Sequence, residues 1–432
     1  MDDIVLIAIL VAIFCIVIFA FFREKWDQTI IAVLGAIVAA VVVRSQPGHE
    51  NWDVMGAVDL NSVLLILSMQ IVILIAEKEN IFAYITLRLI RGTRGNQRAF
   101  FYLIITLGTF MASFISNFSV SLIFLPIIIK TCRILEIPEG KYVLGFIVTT
   151  KIATTMTPFS SGSNIILLSE LNLSFSFFAI YLLPISLLIL VLTLVVYDYA
   201  YIRKEKKVQP ERKLLLLDLI DPKAVIPNKV HFGIVSVGLV IMFICFIAFP
   251  SVPLFVFGFL FGAVMILLTR QKMSNVLKDV EWNIIALYTS MFIIFGSITE
   301  LGFTQMLGEM IAGFVGYDVV WACLLILLLS SLISAPLINL PVILFFIPII
   351  QVLQTLGMPV IPLAVALILG TNLGGNILPQ ASPSDILTLK LAKNFKIANV
   401  NYSRLLKMNT LTSLFHLGIS FIFVWILSAM YV

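Results

Sequence analysis

Charged side chains are scarce in this sequence of 432 residues, since Asp, Glu, Lys and Arg together make up 12% of it while 61% is hydrophobic. A soluble core of this size does not need so few charges, and a β-barrel would show short alternating segments instead of continuous apolar runs. Many of the runs approach the ~20 residues that a helix needs to cross a bilayer. The composition therefore predicts an all-α polytopic membrane protein.

Cysteine and histidine are also rare. The four cysteines are scattered, and none stands near a histidine at a spacing typical of metal ligands. The three histidines, His49, His231 and His416, are far apart, and the last two fall near the ends of apolar runs. We therefore expect no zinc site, no other metal and no cofactor.

Sequence motifs of enzymes are missing as well. The chain has no HExxH motif, no Ser and His constellation within the apolar runs and no GxxxxGK phosphate loop. These absences count against an intramembrane enzyme and against an ATP-driven pump contained in this chain. An ATPase partner encoded separately and a passive channel stay open as alternatives.

The apolar runs predict ten membrane spans and two re-entrant hairpins. The first run follows two acidic residues and lacks a basic n-region, so we expect a span and not a signal peptide. The stretches 99–130 and 319–352 are interrupted by polar residues and proline, and we interpret them as the hairpins. The predicted spans are 4–22, 28–43, 60–77, 141–170, 177–197, 231–249, 252–269, 282–300, 361–389 and 409–430.

The positions of the basic residues predict the orientation. With the N-terminus outside, 26 of the 28 Lys and Arg residues fall in or beside cytoplasmic loops, as the positive-inside rule expects. Only Arg44 falls outside and only Lys151 within the membrane. The net charge of +5 is thus a topology signal facing anionic lipid, and we expect no nucleic-acid partner. The pattern predicts a multi-pass protein of the cytoplasmic membrane with both termini outside.

The sequence contains an internal repeat. VDLNSVLLILSMQ recurs 222 residues later as VEWNIIALYTSMF, and at the same offset SNFSVSLIFLPIII from Ser116 aligns with INLPVILFFIPIIQ from Ile338. A further pair of segments aligns at an offset of 221, one residue less than the others. It matches TTKIATTMTPFSSGSNII from Thr149 with GTNLGGNILPQASPSDIL from Gly370. Each copy holds five spans, an odd number, so the second copy must run inverted through the membrane.

The repeat predicts the domain organisation. Residues 1–200 form the first repeat, with hairpin 99–130 and broken helix 141–170, and residues 229–432 form the second, with hairpin 319–352 and broken helix 361–389. Residues 201–228 are interpreted as a cytoplasmic linker. Inverted repeats with matched broken helices are typical of secondary transporters, whose substrate site lies near the midplane.

Polar residues cluster where the helices are predicted to break. A helix interrupted in the membrane exposes N–H and C=O groups that hydroxyls, amides or a ligand must meet, and Ser, Thr, Asn and Gly surround Pro158 and Pro379. Asn117 and Asn339 are expected at the two hairpin tips, facing the breaks. The alternative is that proline and glycine merely kink packed helices, with Ser and Thr bonding between them.

At these residues the chain resembles the ion transporter superfamily, which includes arsenite permeases, citrate-metal symporters, sodium/proton antiporters and divalent anion sodium symporters. The resemblance covers nearly the whole chain and rests on the doubled hairpin Asn and the doubled TP or LP break. It implies a scaffold domain, a transport domain that moves as an elevator, and a homodimer. The substrate- and ion-binding residues that we predict are Ser116, Asn117, Lys151, Thr154, Thr155, Thr157, Ser161, Ser163, Asn164, Asn339, Asn372, Gly374, Gly375, Asn376, Ser382, Ser384 and Asp385.

Lys151 departs from the family pattern, because relatives have Asn there and the second copy keeps Asn372. The resemblance implies a cation site near this position, so the lysine ammonium would occupy or repel sodium. An intramembrane charge calls for a partner, and we predict Asp385. Lys151 then either takes part in coupling, through the ion site or by releasing a proton, or pairs structurally. The remaining alternative is that it extends to the cytoplasmic edge.

We therefore expect a secondary active transporter of a small ion in the lipid membrane. Four half-helix N-termini aimed at one point favour an anion or oxyanion, such as an arsenite-like ion, a carboxylate or another inorganic anion. A sodium/proton antiporter and a metal-citrate symporter are the alternatives from the same superfamily, and the coupling ion is H+ or Na+. Fold alone does not select the substrate.

Overall fold

The computed structural model describes residues 3–21, 26–205, 208–219, 221–249, 251–337 and 339–431. Across these ranges the chain is helical and contains no strand, which confirms the predicted all-α class. Five residues that entered the charge and repeat patterns lie outside the described residues; they are Arg23, Lys25, Lys206, Lys207 and Ile338.

The helices of the first half include one that is interrupted by 3-10 turns. Those turns, Lys151–Thr155 and Pro158–Ser160, separate α7 from α8 where the sequence predicts a break. The helices are α1 (Asp3–Phe21), α2 (Gln28–Arg44), α3 (Leu60–Lys78), α4 (Ile81–Gly92), α5 (Gln97–Ala112), α6 (Asn117–Leu135), α7 (Glu139–Thr150), α8 (Gly162–Glu170), α9 (Phe175–Phe177) and α10 (Leu183–Tyr197). Through π-helical turns, α9 and α10 belong to one continuous helix, Phe175–Ile202.

The second half contains the matching interruption. The 3-10 turn Pro379–Ala381 separates α19 from α20, again at the predicted break. The helices are α11 (Pro210–Leu219), α12 (Lys229–Ala248), α13 (Leu254–Leu268), α14 (Met273–Leu277), α15 (Trp282–Glu300), α16 (Phe303–Phe314), α17 (Val319–Ser334), α18 (Asn339–Thr355), α19 (Val360–Gly374), α20 (Pro383–Asn394) and α21 (Tyr402–Ala429).

Several helices are suited to a bilayer. Six helices within the described ranges are long and apolar enough to cross a membrane, and seven shorter helices are apolar. One of the six is α6, an arm of the first predicted hairpin, whose 19 residues reach the length of a full crossing. The last helix, α21, begins at Tyr402, earlier than the predicted span 409–430. His416 therefore lies in the middle of this helix and not near the end of a span, as expected from the sequence. Its side chain is buried.

Two amphipathic helices, α4 and α16, were not predicted from the sequence. Each follows a long helix after a residue in the left-handed conformation, Asn80 with φ 54° and Gly302 with φ 77°. Such a residue ends the preceding helix and redirects the chain. Helix lengths then match between the halves, because α3, α4 and α5 have 19, 12 and 16 residues and α15, α16 and α17 have the same 19, 12 and 16.

The two halves interlock around the broken helices. The second part of the first broken helix, α8, packs against α18 of the second half, while α20 packs against α6 of the first half. We call α5–α8 together with α17–α21 the site bundle, because α7 and α19 also pack against these helices. Helices α1, α2 and α15 on one side and α3, α12 and α13 on the other form two flanking groups.

Candidate functional site

A cavity of about 320 Å³ lies where the hairpin tips meet the broken helices. Its wall contains residues from the N-termini of α6, α8, α18 and α20, and the flanking helices α3 and α15 complete it. The structure thus brings the four helix ends together as the sequence predicts. Ten of the predicted site residues line the cavity: Ser116, Asn117, Thr154, Ser161, Ser163, Asn339, Gly375, Asn376, Ser382 and Ser384.

Two of these helix N-termini lack a side-chain cap. Ser161 precedes α8 and Ser382 precedes α20, yet neither hydroxyl accepts a hydrogen bond from its helix. Ser161 instead shares a hydrogen bond of 2.7 Å with Ser163, and Ser382 shares one of 2.9 Å with Ser384. The N–H groups of Asn164 and Asp385 bond the carbonyls of Ser161 and Ser382. The N–H groups of Gly162, Ser163 and Ser384 have no side-chain cap, and an anion in the cavity would be their natural partner.

The other seven predicted residues are buried outside the cavity lining. They are Lys151, Thr155, Thr157, Asn164, Asn372, Gly374 and Asp385. Thr155 shares a hydrogen bond of 2.7 Å with Ser186, and the Thr157 hydroxyl donates to the carbonyl of Ser113. These contacts fasten the broken segment to α10 and to the C-terminal end of α5.

Three asparagines connect the two broken helices. The Asn339 amide donates to Asn372 Oδ1 at 2.8 Å, and the Asn372 amide donates to Asn164 Oδ1 at 3.0 Å. The Asn164 amide then donates to the carbonyl of Thr154 at 2.6 Å. This chain of amides joins a hairpin tip to both breaks, so it holds the cavity wall together across the two repeats.

Lys151 pairs with Asp385, as the sequence predicts. The Lys151 Nζ lies 2.6 Å from Asp385 Oδ2, with exposed side-chain fractions of 3% and 0%. It also donates to the carbonyl of Asn376 at 3.2 Å. This burial contradicts the alternative in which Lys151 extends to the cytoplasmic edge.

The ion pair and the amide pair occupy corresponding positions of the two repeats. At an offset of 221 residues, Lys151 corresponds to Asn372 and Asn164 to Asp385. Each pair joins one residue of each repeat, so the amide hydrogen bond of Asn372 with Asn164 is the symmetric counterpart of the charged pair. The asparagines at the start of α6 and α18 also differ. Asn339 donates to Asn372, whereas Oδ1 of its counterpart Asn117 is buried without a partner.

Asn409 of α21 contacts Asp385 and was not predicted from the sequence. Its amide donates to Asp385 Oδ2 at 2.7 Å, while Asp385 Oδ1 and Asn409 Oδ1 are buried without partners. The buried His416 lies two turns further along α21 and bonds Thr193 at 2.9 Å. An amide inside an apolar segment was the available signal, since such a group must find a partner in a membrane.

The flanking helices also supply residues that were not predicted. Gln70 of α3 and Tyr288 and Glu281 of α15 line the cavity. The lining contains no Lys, Arg or His, and Glu281 is its one charged residue within the described chain. A Cβ on Gly162 would lie 2.3 Å from the Tyr288 ring, so α8 approaches α15 closely only because it begins with glycine.

The fold combines two broken helices, polar residues at both breaks, and a cavity between the site bundle and the flanking helices. These features are those of a membrane transporter. The match to a family model extends over residues 16–370 and is described as CitMHS, citrate transporter. This chain belongs to that family.

Relatives of similar length are named as membrane proteins or transporters. The chain is 23% identical to a 46 kDa membrane protein of Mycobacterium leprae, over 84% of this chain and 86% of the relative. It is 21% identical to an uncharacterized transporter of Mycobacterium tuberculosis, over 93% of this chain and 94% of the relative. The proteins so named are transporters or membrane proteins, and none is an enzyme.

A solved structure shares the fold. The YdaH transporter of Alcanivorax borkumensis, described as having an unusual topology, superposes with a TM-score of 0.62. The alignment covers 93% of this chain and 98% of that one, at 13% identity. The fold is therefore that of a known membrane transporter.

Proposed function

We propose that this protein is a secondary active transporter that binds a small carboxylate or oxyanion in the cavity between the broken helices. The observation that carries the proposal is the convergence of four helix N-termini on one cavity. Each helix N-terminus carries roughly half a positive charge. Their sum favours an anion even though none of the described residues that line the cavity has a cationic side chain. The description of the family as citrate transporters is consistent with a carboxylate substrate.

The same proposal includes an inverted repeat and an elevator-type motion. The matched lengths of α3, α4 and α5 with α15, α16 and α17 support the repeat. The packing of α8 on α18 and of α20 on α6 supports a single moving unit, the site bundle. The flanking groups would form the scaffold against which it slides. With the N-terminus outside, Gln70 and Glu281 fall on the cytoplasmic side of the cavity, which supports an inward-facing state.

We propose further that Lys151 acts as an internal cation in the first repeat. A fixed ammonium beside Asp385 supplies the positive charge that a bound ion would otherwise bring. The position of Lys151 is taken in the second repeat by the neutral Asn372, and near it oxygens of Ser334, Asn339 and Thr371 lie 2.6, 2.6 and 2.9 Å from the position that a Cβ on Gly375 would take. The Ser334 hydroxyl donates to the other two oxygens. Oxygen clusters of this kind suit a hard cation, so coupling to Na+ would use the second repeat.

Transport by purified protein in liposomes tests the main proposal. Counterflow of labelled carboxylates and oxyanions should reveal one class that exchanges, and exchange should respond to an imposed proton or sodium gradient. Gly375→Ala should abolish it, because a Cβ there would lie 2.6 Å from Asn339 Oδ1. Gly313→Ala is the matched control, since nothing lies within 4 Å of its Cβ position. Cation flux without any anion requirement would favour the antiporter instead, and single-channel currents would indicate a channel.

The internal-cation proposal requires a separate measurement. The double variant Lys151→Asn with Asp385→Asn replaces the ion pair by an amide pair like that of Asn372 and Asn164. We expect its anion flux to depend more steeply on sodium concentration than that of the unmodified protein. An unchanged sodium dependence together with full activity would contradict the role given to Lys151.

A further inference from the structure

Arg44 is the one basic residue that the predicted topology places outside. It forms the last residue of α2, and its Nε donates to the carbonyl of Trp52 at 3.0 Å. In the described part of the chain no carboxylate pairs with it. The two terminal nitrogens of the guanidinium are thus available to an external anion, and they match phosphate oxygens in geometry.

An apolar groove leads away from Arg44 between α2 and α15. Its volume is about 780 Å³, and Arg44 is the one charged residue among the described residues that line it. The hydroxyls of Ser45, Thr289 and Ser290 lie in the groove, but each donates to a carbonyl of its own helix. The groove therefore offers an alkyl surface and not hydrogen-bonding groups to its occupant.

The length of the groove corresponds to one leaflet of a bilayer. Its α2 wall extends from Val33 to Arg44, which is about 16 Å at 1.5 Å per residue. Half of a ~30 Å hydrocarbon core is about 15 Å. Ile37 and Val41 on this wall are 55% and 62% exposed, so the groove opens toward the bilayer side of the bundle. A single acyl chain with its headgroup at Arg44 would fill it end to end.

We propose that this groove is a binding site for an anionic phospholipid, with one acyl chain between α2 and α15 and the phosphate on Arg44. The site lies on the flanking group and is separate from the cavity of the site bundle, so it does not depend on the substrate. A lipid held here would stabilise the packing of α2 on α15, which the site bundle must slide past.

Native mass spectrometry of the full chain in detergent tests this proposal, with phosphatidylglycerol and phosphatidylcholine as probes. Arg44→Gln should weaken phosphatidylglycerol binding by about tenfold or more, because it removes charge-assisted hydrogen bonds. Ala40→Phe keeps the charge but fills the groove, and it should weaken binding as strongly. Arg270→Gln is the matched control, since Arg270 also follows an apolar helix yet is not among the described residues that line this groove.

Three results would overturn the proposal. One is equal binding of the two lipids by the unmodified protein, and another is equal phosphatidylglycerol binding by all variants. The third is a change of oligomeric state in Ala40→Phe, seen by light scattering, with lipid binding intact. That result would assign the groove to a contact between two copies of the chain. Monodisperse elution and unchanged circular dichroism of Arg44→Gln would show that the exposed substitution leaves the fold intact.

Discussion

Lys151 Nζ lies 2.6 Å from Asp385 Oδ2, and the residues at the corresponding positions of the repeats, Asn372 and Asn164, are joined by an amide hydrogen bond. The pair brings together residues 234 positions apart in the chain. Each copy thus contributes one charged residue and one asparagine, and the two charges form one pair while the two amides form the other. Each charge is tolerated only because its partner is present.

Removing one member of this pair should destabilise the protein strongly. Lys151→Ala leaves Asp385 buried and unpaired, and breaking such a pair costs about 3–5 kcal/mol. The double variant Lys151→Asn with Asp385→Asn should recover most of the loss, because an amide pair needs no counter-charge. Thermal unfolding in detergent measures both effects.

A partly exposed pair gives the control for this comparison. Lys78 lies 2.7 Å from Asp279, and their side chains are 34% and 51% exposed. Lys78→Gln should cost no more than about 1 kcal/mol, as for other solvent-screened pairs. Equal thermal unfolding midpoints for Lys151→Ala and the double variant would show that the charges of Lys151 and Asp385 do not depend on each other.

Asn409 should contribute to stability through Asp385. Asn409→Leu keeps a similar volume but removes the hydrogen bond of 2.7 Å to the carboxylate. A hydrogen bond to a charged group is worth about 1.5–3 kcal/mol, so the unfolding midpoint should fall. Thr410→Val is the neighbouring control, since the Thr410 hydroxyl bonds only the carbonyl of Leu406 in its own helix. If both variants unfold at the same temperature, Asn409 does not hold the carboxylate.

Gly374 should not tolerate a methyl group. A Cβ there would lie 2.4 Å from Ser331 Cα and 2.6 Å from its carbonyl oxygen, and backbone atoms cannot turn aside. Overpacking of this kind costs about 1–3 kcal/mol, so Gly374→Ala should lower both the unfolding midpoint and transport. Gly418 lies in the interior of α21 with nothing within 4 Å of its Cβ position. Gly418→Ala should be neutral or stabilising by up to about 1 kcal/mol, and a loss equal to that of Gly374→Ala would contradict the packing argument.

Linking the site bundle to a flanking helix should stop transport. Cysteines at Gly162 and Tyr288, introduced after exposed Cys15 and half-buried Cys245 are replaced by alanine, connect α8 to α15. A bifunctional thiol reagent with a reducible linker should abolish flux, and reduction should restore it.

A link within one flanking group should leave flux unchanged. Cysteines at Ile71 and Gly262 connect α3 to α13, where a Cβ on Gly262 would lie 3.2 Å from Ile71 Cγ2, an atom that the substitution removes. Full transport after linking Gly162 to Tyr288 would refute sliding between the two parts.

Much of this arrangement can be predicted from local sequence. Hydropathy indicates the all-α membrane class, and the aligned segments from Thr149 and Gly370 locate both breaks, since proline and polar residues interrupt a helix wherever they occur. The repeat also predicted Asp385 as the partner of Lys151, because an intramembrane charge requires one. These features depend on neighbouring residues or on a duplicated pattern, and both can be read along the chain.

Tertiary structure alone decided which groups meet. Asn409 contacts Asp385, and Tyr288 closes the cavity over Gly162, because separate helices pack together at those points. The reciprocal packing of α8 on α18 and α20 on α6 places four helix ends around one cavity. The sequence by itself determined where helices form and break. Packing between distant segments decided which seven of the predicted residues lie behind the cavity wall, since burial depends on contacts that no local pattern contains.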